Sequence, residues 1–123
     1  MSEQMTEKMN RFFGERIAGC ERRQAELNAD ERGDEAVFEK IRANVYDIFR
    51  TVLSAAGKAC KGDARAAGQF FSDRLDQIPA GWAAAYENAR EHDDVDRMQI
   101  ERVKLDAIAD IREYFDKVRE EEA

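Results

Sequence analysis

The stretch from Phe38 to Ala56, FEKIRANVYDIFRTVLSAA, decides the fold class of this 123-residue chain. Its apolar residues recur at steps of three and four, which is the spacing of one face of an α-helix. These residues are Phe38, Ile41, Val45, Ile48, Val52 and Ala56, with Phe49 and Leu53 widening the stripe. We expect this segment to be the most buried helix of the protein.

The rest of the chain has the same character. Ala, Glu, Arg and Lys dominate throughout, and no window shows the alternating pattern of a β-strand. Capping and breaking residues divide the chain at three places: Asp34 after Gly33, Asp63 after Gly62, and Asp93 or Asp94 in the run HDDVD. The predicted helical segments are 3–30, 34–61, 63–92 and 94–121.

Four segments of matched length joined by short loops predict one all-α domain covering residues 1–123, folded as an up-down-up-down four-helix bundle. The run Ile78-Pro79-Ala80-Gly81 interrupts the third segment, because proline lacks the backbone donor that a helix needs. We therefore expect the third helix to be kinked or split at Pro79, and a split would give five helices. The alternative is a helical-repeat array, but WAAAYENA at 82–89 lacks the Leu-Gly and Tyr spacing of a tetratricopeptide helix.

The composition limits the partners. The net charge is −7, and residues 93–123 are the most acidic quarter, which argues against nucleic acid and anionic membranes. No apolar run approaches the ~18 residues of a membrane span, and the first residues lack the apolar core of a secretory signal. We expect a cytoplasmic protein.

Cys20 and Cys60 have no zinc-site spacing and are interpreted as small core residues.

No catalytic or metal-binding motif is present. His92 is the only histidine, and the acids around it lack the spacing of a calcium loop. A single histidine also excludes the paired Glu-x-x-His motifs of di-iron bundles. The run AAGKACKGDAR lacks the phosphate-loop motif and follows no strand. We expect a protein that is not an enzyme and holds no metal or cofactor.

Four basic residues fall within or at the edges of the apolar stripes, near mid-height of the predicted bundle: Arg16, Arg42, Arg74 and Lys104. If they converge, they would form a pocket for a carboxylate or phosphate ligand near the Pro79 break, since buried cations need an anionic partner. The alternative is that their stems cover apolar surface while their charges reach water.

Met98 and Leu105 lie one heptad apart and off the main stripe of the fourth segment. With exposed parts of Tyr46 or Val95 they could form an association patch. The sequence thus favours a non-enzymatic helical protein that interacts with another protein or with itself. The alternative function is a bundle that binds a small anionic ligand in a mid-bundle pocket.

Overall fold

The computed structural model describes residues 1–122, which form four α-helices and no strand. Their bounds are Glu3–Ala29 for α1, Gly33–Ala59 for α2, Ala64–Glu91 for α3 and Val95–Glu121 for α4. Each helix begins and ends within two residues of the predicted bounds. The predicted all-α four-helix bundle is confirmed.

Neighbouring helices run antiparallel, because the loops between them are short. The ion pair of Lys8 with Glu121 joins the start of α1 to the end of α4, and that of Arg16 with Asp110 joins their middles. α1 packs mainly on α2 and α3 mainly on α4, while α2 and α4 touch across the centre. Within the described residues the backbones of α1 and α3 stay apart, and these two helices meet through aromatic side chains in the core. The bundle is therefore two helical hairpins, and α2 packs on both helices of the second hairpin.

Side chains cap three of the four helix starts. The carboxylates of Asp63 and Asp94 accept hydrogen bonds from the backbone of α3 and α4, as predicted, and Ser2 caps α1 in the same way. The predicted cap at Asp34 is wrong. The Arg32 backbone N–H bonds back to the Leu27 carbonyl, so α2 already begins at Gly33, and Asp34 lies in its first turn.

Helix α3 is not split at Pro79. Proline cannot donate to the carbonyl four residues earlier, which belongs to Leu75. Arg112 of α4 replaces the missing donor, since its Nη2 lies 2.7 Å from the Leu75 oxygen while its Nη1 lies 2.7 Å from Asp76. The lost backbone bond is therefore replaced from a neighbouring helix, and α3 continues as one helix.

The core is unevenly distributed along the bundle. One end holds the α2–α3 loop together with the start of α1 and the end of α4, and the Phe13, Phe49, Phe71 and Phe115 rings are fully buried towards it. The other end, here called the two-loop end, holds the α1–α2 and α3–α4 loops. Large apolar side chains near it are only half-buried: Leu27, Phe38, Ile41, Trp82 and Ile100.

Candidate functional site

The four basic residues of the sequence hypothesis do not meet in one pocket. Arg16 makes a bidentate contact with Asp110. Its Nε donates to Oδ2 at 2.8 Å and its Nη2 donates to Oδ1 at 3.3 Å. Arg74 donates to Gln77 of its own helix at 2.9 Å, and its Cζ lies 4.5 Å from the centre of the Phe70 ring. These two cations therefore lie in separate groups.

Arg42 and Lys104 also have partners within the chain. The Nε of Arg42 lies 3.8 Å from a carboxylate oxygen of Glu39 on the same helix. The Nζ of Lys104 lies 3.3 Å from Glu101 and 5.6 Å from the centre of the Trp82 ring. Long basic side chains at the edge of a stripe can reach such partners without entering a common cavity.

Arg16 belongs to a polar cluster that joins three helices. The Tyr46 hydroxyl of α2 donates to Oδ2 of Asp110 on α4 at 2.6 Å, and Arg16 of α1 binds the same carboxylate. Burial raises the pKa of Tyr46, and the hydrogen bond to Asp110 raises it further. Burial alone would raise the pKa of Asp110, but the hydrogen bonds from Arg16 and Tyr46 outweigh it and the pKa is lowered. Tyr46 is only 2% exposed and offers no association surface.

Met98 and Leu105 are half-buried rather than on the outer face of α4. Leu105 follows Arg102 by three residues, so the two share one side of the helix. Arg102 donates to the Tyr86 hydroxyl of α3 at 2.7 Å. That side of α4 therefore faces α3. Val95 is 61% exposed and lies in the first turn of α4.

Glu101 is a buried charge that sequence reasoning missed. Its side chain is 1% exposed, and its Oε1 accepts from Arg97 Nε at 3.0 Å and from Lys104 Nζ at 3.3 Å. Its Oε2 is buried without a hydrogen-bond partner. The heptad spacing could have predicted this burial, because Glu101 precedes the core residues Ile108 and Phe115 by one and two heptads.

An apolar row lies on the side of α2 that faces away from α1. Helix α1 contacts α2 through the bond from Arg23 to Glu39 and through Phe12 against Tyr46. The other side carries a row at helical spacing: Val37, Ile41, Ile48 and Val52. Val37 is 52% and Ile48 40% exposed. The apolar stripe of α2 is wider than contact with one neighbouring helix requires. This width is the sequence feature that indicates the row.

A matching row lies on α3. Its contacts with α4 run through Asp76 and Tyr86, and the side turned towards α2 carries half-buried Phe70, Arg74 and Ile78. The two rows together are here called the α2–α3 face. Within them the only charged side chain is Arg74, which lies over Phe70.

Surface cavities lie at the two ends of the bundle, outside this face. One of about 600 Å³ at the two-loop end is lined by Arg23, Glu26, Leu27, Ala29, Asp30 and Arg32. Another of about 400 Å³ at the opposite end includes Met1, Ser2, Arg65 and Arg119. Among residues 1–122 no three His, Cys, Asp or Glu side chains are grouped to hold a metal ion. The Nδ1 of His92 lies 2.7 Å from the Asn88 carbonyl in its own helix.

Comparisons with known proteins give no relative from which a role could be transferred. No family model matches the chain, and neither a curated protein nor a solved structure is significantly similar to it. No helix in the described part of the chain has the length and hydropathy needed to cross a membrane.

Proposed function

We propose that this chain is a non-enzymatic helical interaction protein and that it binds its protein partner through the α2–α3 face. The observation that carries the proposal is the exposure of two large apolar residues of the α2 row, Val37 and Ile48, on the side of the bundle where the α3 row has half-buried Phe70 and Ile78. Grouped apolar surface is typical of protein-binding sites, whereas isolated exposed apolar residues are ordinary.

Charge supports a protein partner over nucleic acid. The net charge of −7 repels phosphate backbones, and nucleic-acid sites are rich in Lys and Arg. The rows of the α2–α3 face contain one cation, Arg74, whose guanidinium already lies over Phe70 and donates to Gln77. An amphipathic helix laid along the face with its apolar side inward would match this chemistry.

Site-specific photocrosslinking tests the proposal. A photoreactive residue at Ile48 or Val37 should give one discrete crosslinked product in cells, while the same residue at exposed Val95 should give none. Once the crosslinked partner is identified and purified, Ile48→Glu should weaken its binding at least about tenfold, because a carboxylate would have to be buried without a partner. Val95→Glu should leave binding unchanged.

Equal affinity of the wild-type and Ile48→Glu proteins for that partner would exclude the α2–α3 face as the binding surface. A lack of crosslinks from both face positions would do the same. Circular dichroism spectra and thermal melting of each variant should match the wild type, since both positions are exposed enough to accept a polar side chain.

A further inference from the structure

We infer that the two hairpins of the bundle separate and close at the two-loop end while they stay joined at mid-height, and that the charge of the two loops opposes closure. One hairpin is α1 with α2, and the other is α3 with α4. Low ionic strength then favours an open form of the protein, and high ionic strength favours the closed form. This movement does not depend on the α2–α3 face or on what binds there.

The polar contacts between the two hairpins lie at mid-height and at the end away from the two loops. Within residues 1–122 the hydrogen bonds and ion pairs of this kind join Ser2 to Glu122, Lys8 to Glu121, and both Arg16 and Tyr46 to Asp110. Nearer the two-loop end, Arg23 binds Glu39 inside the first hairpin and Arg102 binds Tyr86 inside the second. The Asp110 cluster is therefore placed to act as the hinge.

The buried apolar core also stops short of the two-loop end. Its last members in that direction lie nine to sixteen residues from the helix ends: Cys20, Val45, Leu75 and Ala107. Closer to the loops, the buried residues of the described chain are Ala36, Pro79, Ala89 and Glu101. Burial of large apolar side chains is the main force that holds helices together. The two-loop end therefore contributes little to the cohesion of the hairpins.

Glu101, the largest of these buried side chains, favours the open form. In the closed bundle it is 1% exposed and its Oε2 has no hydrogen-bond partner. Both of its partners, Arg97 and Lys104, lie on its own helix, so separation of the hairpins breaks neither ion pair. Opening lets water reach Oε2 and removes the cost of burying that oxygen unpaired.

The net charge of the chain is concentrated at the two loops. Residues 24–36 hold five acids and one arginine, and residues 87–97 hold five acids and two arginines. Their net charges are −4 and −3, so the rest of the chain is neutral overall. The first of these segments belongs to one hairpin and the second to the other. The two ends that must meet on closure therefore repel each other.

Salt sets the strength of this repulsion. Neighbouring helices pack with their axes roughly 10 Å apart. The screening length is about 30 Å at 0.01 M salt and about 3 Å at 1 M salt. The loop charges therefore act on each other almost fully at the lower concentration and hardly at all at the higher one.

Distances between spin labels on the full chain test the inference. Labels at Ala25 of α1 and Ala84 of α3 replace exposed, uncharged residues near the two-loop end, and noncanonical amino acids can carry them. Double electron–electron resonance at about 0.01 M salt should show a second, longer distance, whose fraction falls at least about threefold at 1 M. Labels on the same helices at the opposite end, at Asn10 and Gln69, should give one narrow distance at both concentrations.

Substitutions separate the two causes of opening. Glu101→Met should lower the open fraction at least about fivefold at low salt, because no buried charge remains to be hydrated. Glu31→Gln with Asp93→Asn removes one charge from each loop, halves the product of the loop charges and should also lower the open fraction. The matched control, Glu7→Gln with Glu120→Gln, removes two exposed charges at the opposite end and should leave the fraction unchanged.

Three outcomes would overturn the inference. The first is a single short distance between the labels at positions 25 and 84 at both salt concentrations. The second is a parallel lengthening between positions 10 and 69, since the whole bundle would then expand without a hinge. The third is an open fraction that neither salt nor Glu101→Met reduces. Circular dichroism spectra that match the wild type exclude unfolding of the labelled proteins.

Discussion

Glu101 occupies a core position of α4 that is apolar at Ile108 and Phe115, one and two heptads later. Burying a carboxylate is costly unless its oxygens are all hydrogen-bonded. Arg97 and Lys104 satisfy Oε1, but Oε2 has no partner. We therefore expect an apolar residue at this position to give a more stable bundle.

Glu101→Met should raise the free energy of unfolding by about 1 to 3 kcal/mol, because the unpaired buried oxygen disappears and the volume is kept. Arg97 is exposed enough to be hydrated after its partner is lost, and half-buried Lys104 keeps its position over the Trp82 ring. Urea denaturation at neutral pH measures the change. Glu101→Ala provides the contrast, since it removes the charge but leaves a cavity. A lower stability of Glu101→Met would mean that Oε2 has a stabilising partner in solution.

The Tyr46 cluster predicts a pH-dependent contribution to stability. The pKa of Asp110 is lowered in the fold, so its stabilisation is complete above its unfolded pKa near 3.8 and is lost as the pH falls through the folded value. Asp110→Asn should therefore cost stability at pH 7 and progressively less below about pH 4. Urea denaturation from pH 7 to pH 3 measures this difference. A cost that is independent of pH would contradict the assignment.

The same cluster gives a second measurement. Tyr46→Phe removes a hydrogen bond to a charged acceptor, which is worth about 1.5 to 3 kcal/mol. The ion pair of Arg16 with Asp110 remains in that variant. Urea denaturation of the variant beside the wild type measures the loss. A loss well below this range would show that Arg16 alone satisfies the carboxylate.

At the scale of the helix, α3 shows why a proline in the sequence does not decide whether a helix is split. The sequence correctly marks Pro79 as a missing donor, but it does not show that Arg112, 33 residues later, would supply a replacement. Helix bounds were predicted well, since caps such as Asp63 and Asp94 act locally. The prediction of a cap at Asp34 was wrong for a similar reason, because the end of α1 determines where α2 begins.

A double-mutant cycle tests the role of Arg112. Arg112→Met should lower the free energy of unfolding by about 1 to 3 kcal/mol, because the Leu75 carbonyl loses its donor. In a Pro79→Ala background the same change should cost less, since the substituted alanine has a backbone N–H that can reach that carbonyl. Thermal and urea unfolding of the four proteins measure the coupling. Equal costs in both backgrounds would show that Arg112 acts only through Asp76.

At the scale of the whole molecule, the uneven core predicts uneven stability. Backbone amides of residues 45–56 and 107–118 lie beside the buried aromatic cluster, whereas residues 22–40 and 84–104 lie towards the two-loop end. Regions with less buried apolar surface open at lower free energy. Native-state hydrogen exchange should therefore protect the first pair of segments more strongly. Uniform protection along each helix would contradict this division.

The candidate site could be predicted only in part. The apolar positions Ile41, Ile48 and Val52 are visible in the sequence, but a helical stripe does not distinguish core from uncovered surface. That distinction depends on which side of α2 the first helix packs against. The convergence of Arg16, Arg42, Arg74 and Lys104 was inferred from their height and from their places in or beside the apolar stripes. These positions do not show which partner each long side chain reaches.

The hydrogen bond between Ser2 and Glu122 and the ion pair between Lys8 and Glu121 place the start of α1 beside the end of α4. We therefore expect the four helices to pack in the same way when their order along the chain is changed. A rearranged gene that starts at α2, continues through α4 and reaches α1 across a short flexible linker should give the same bundle, opened at the exposed loop around Glu31.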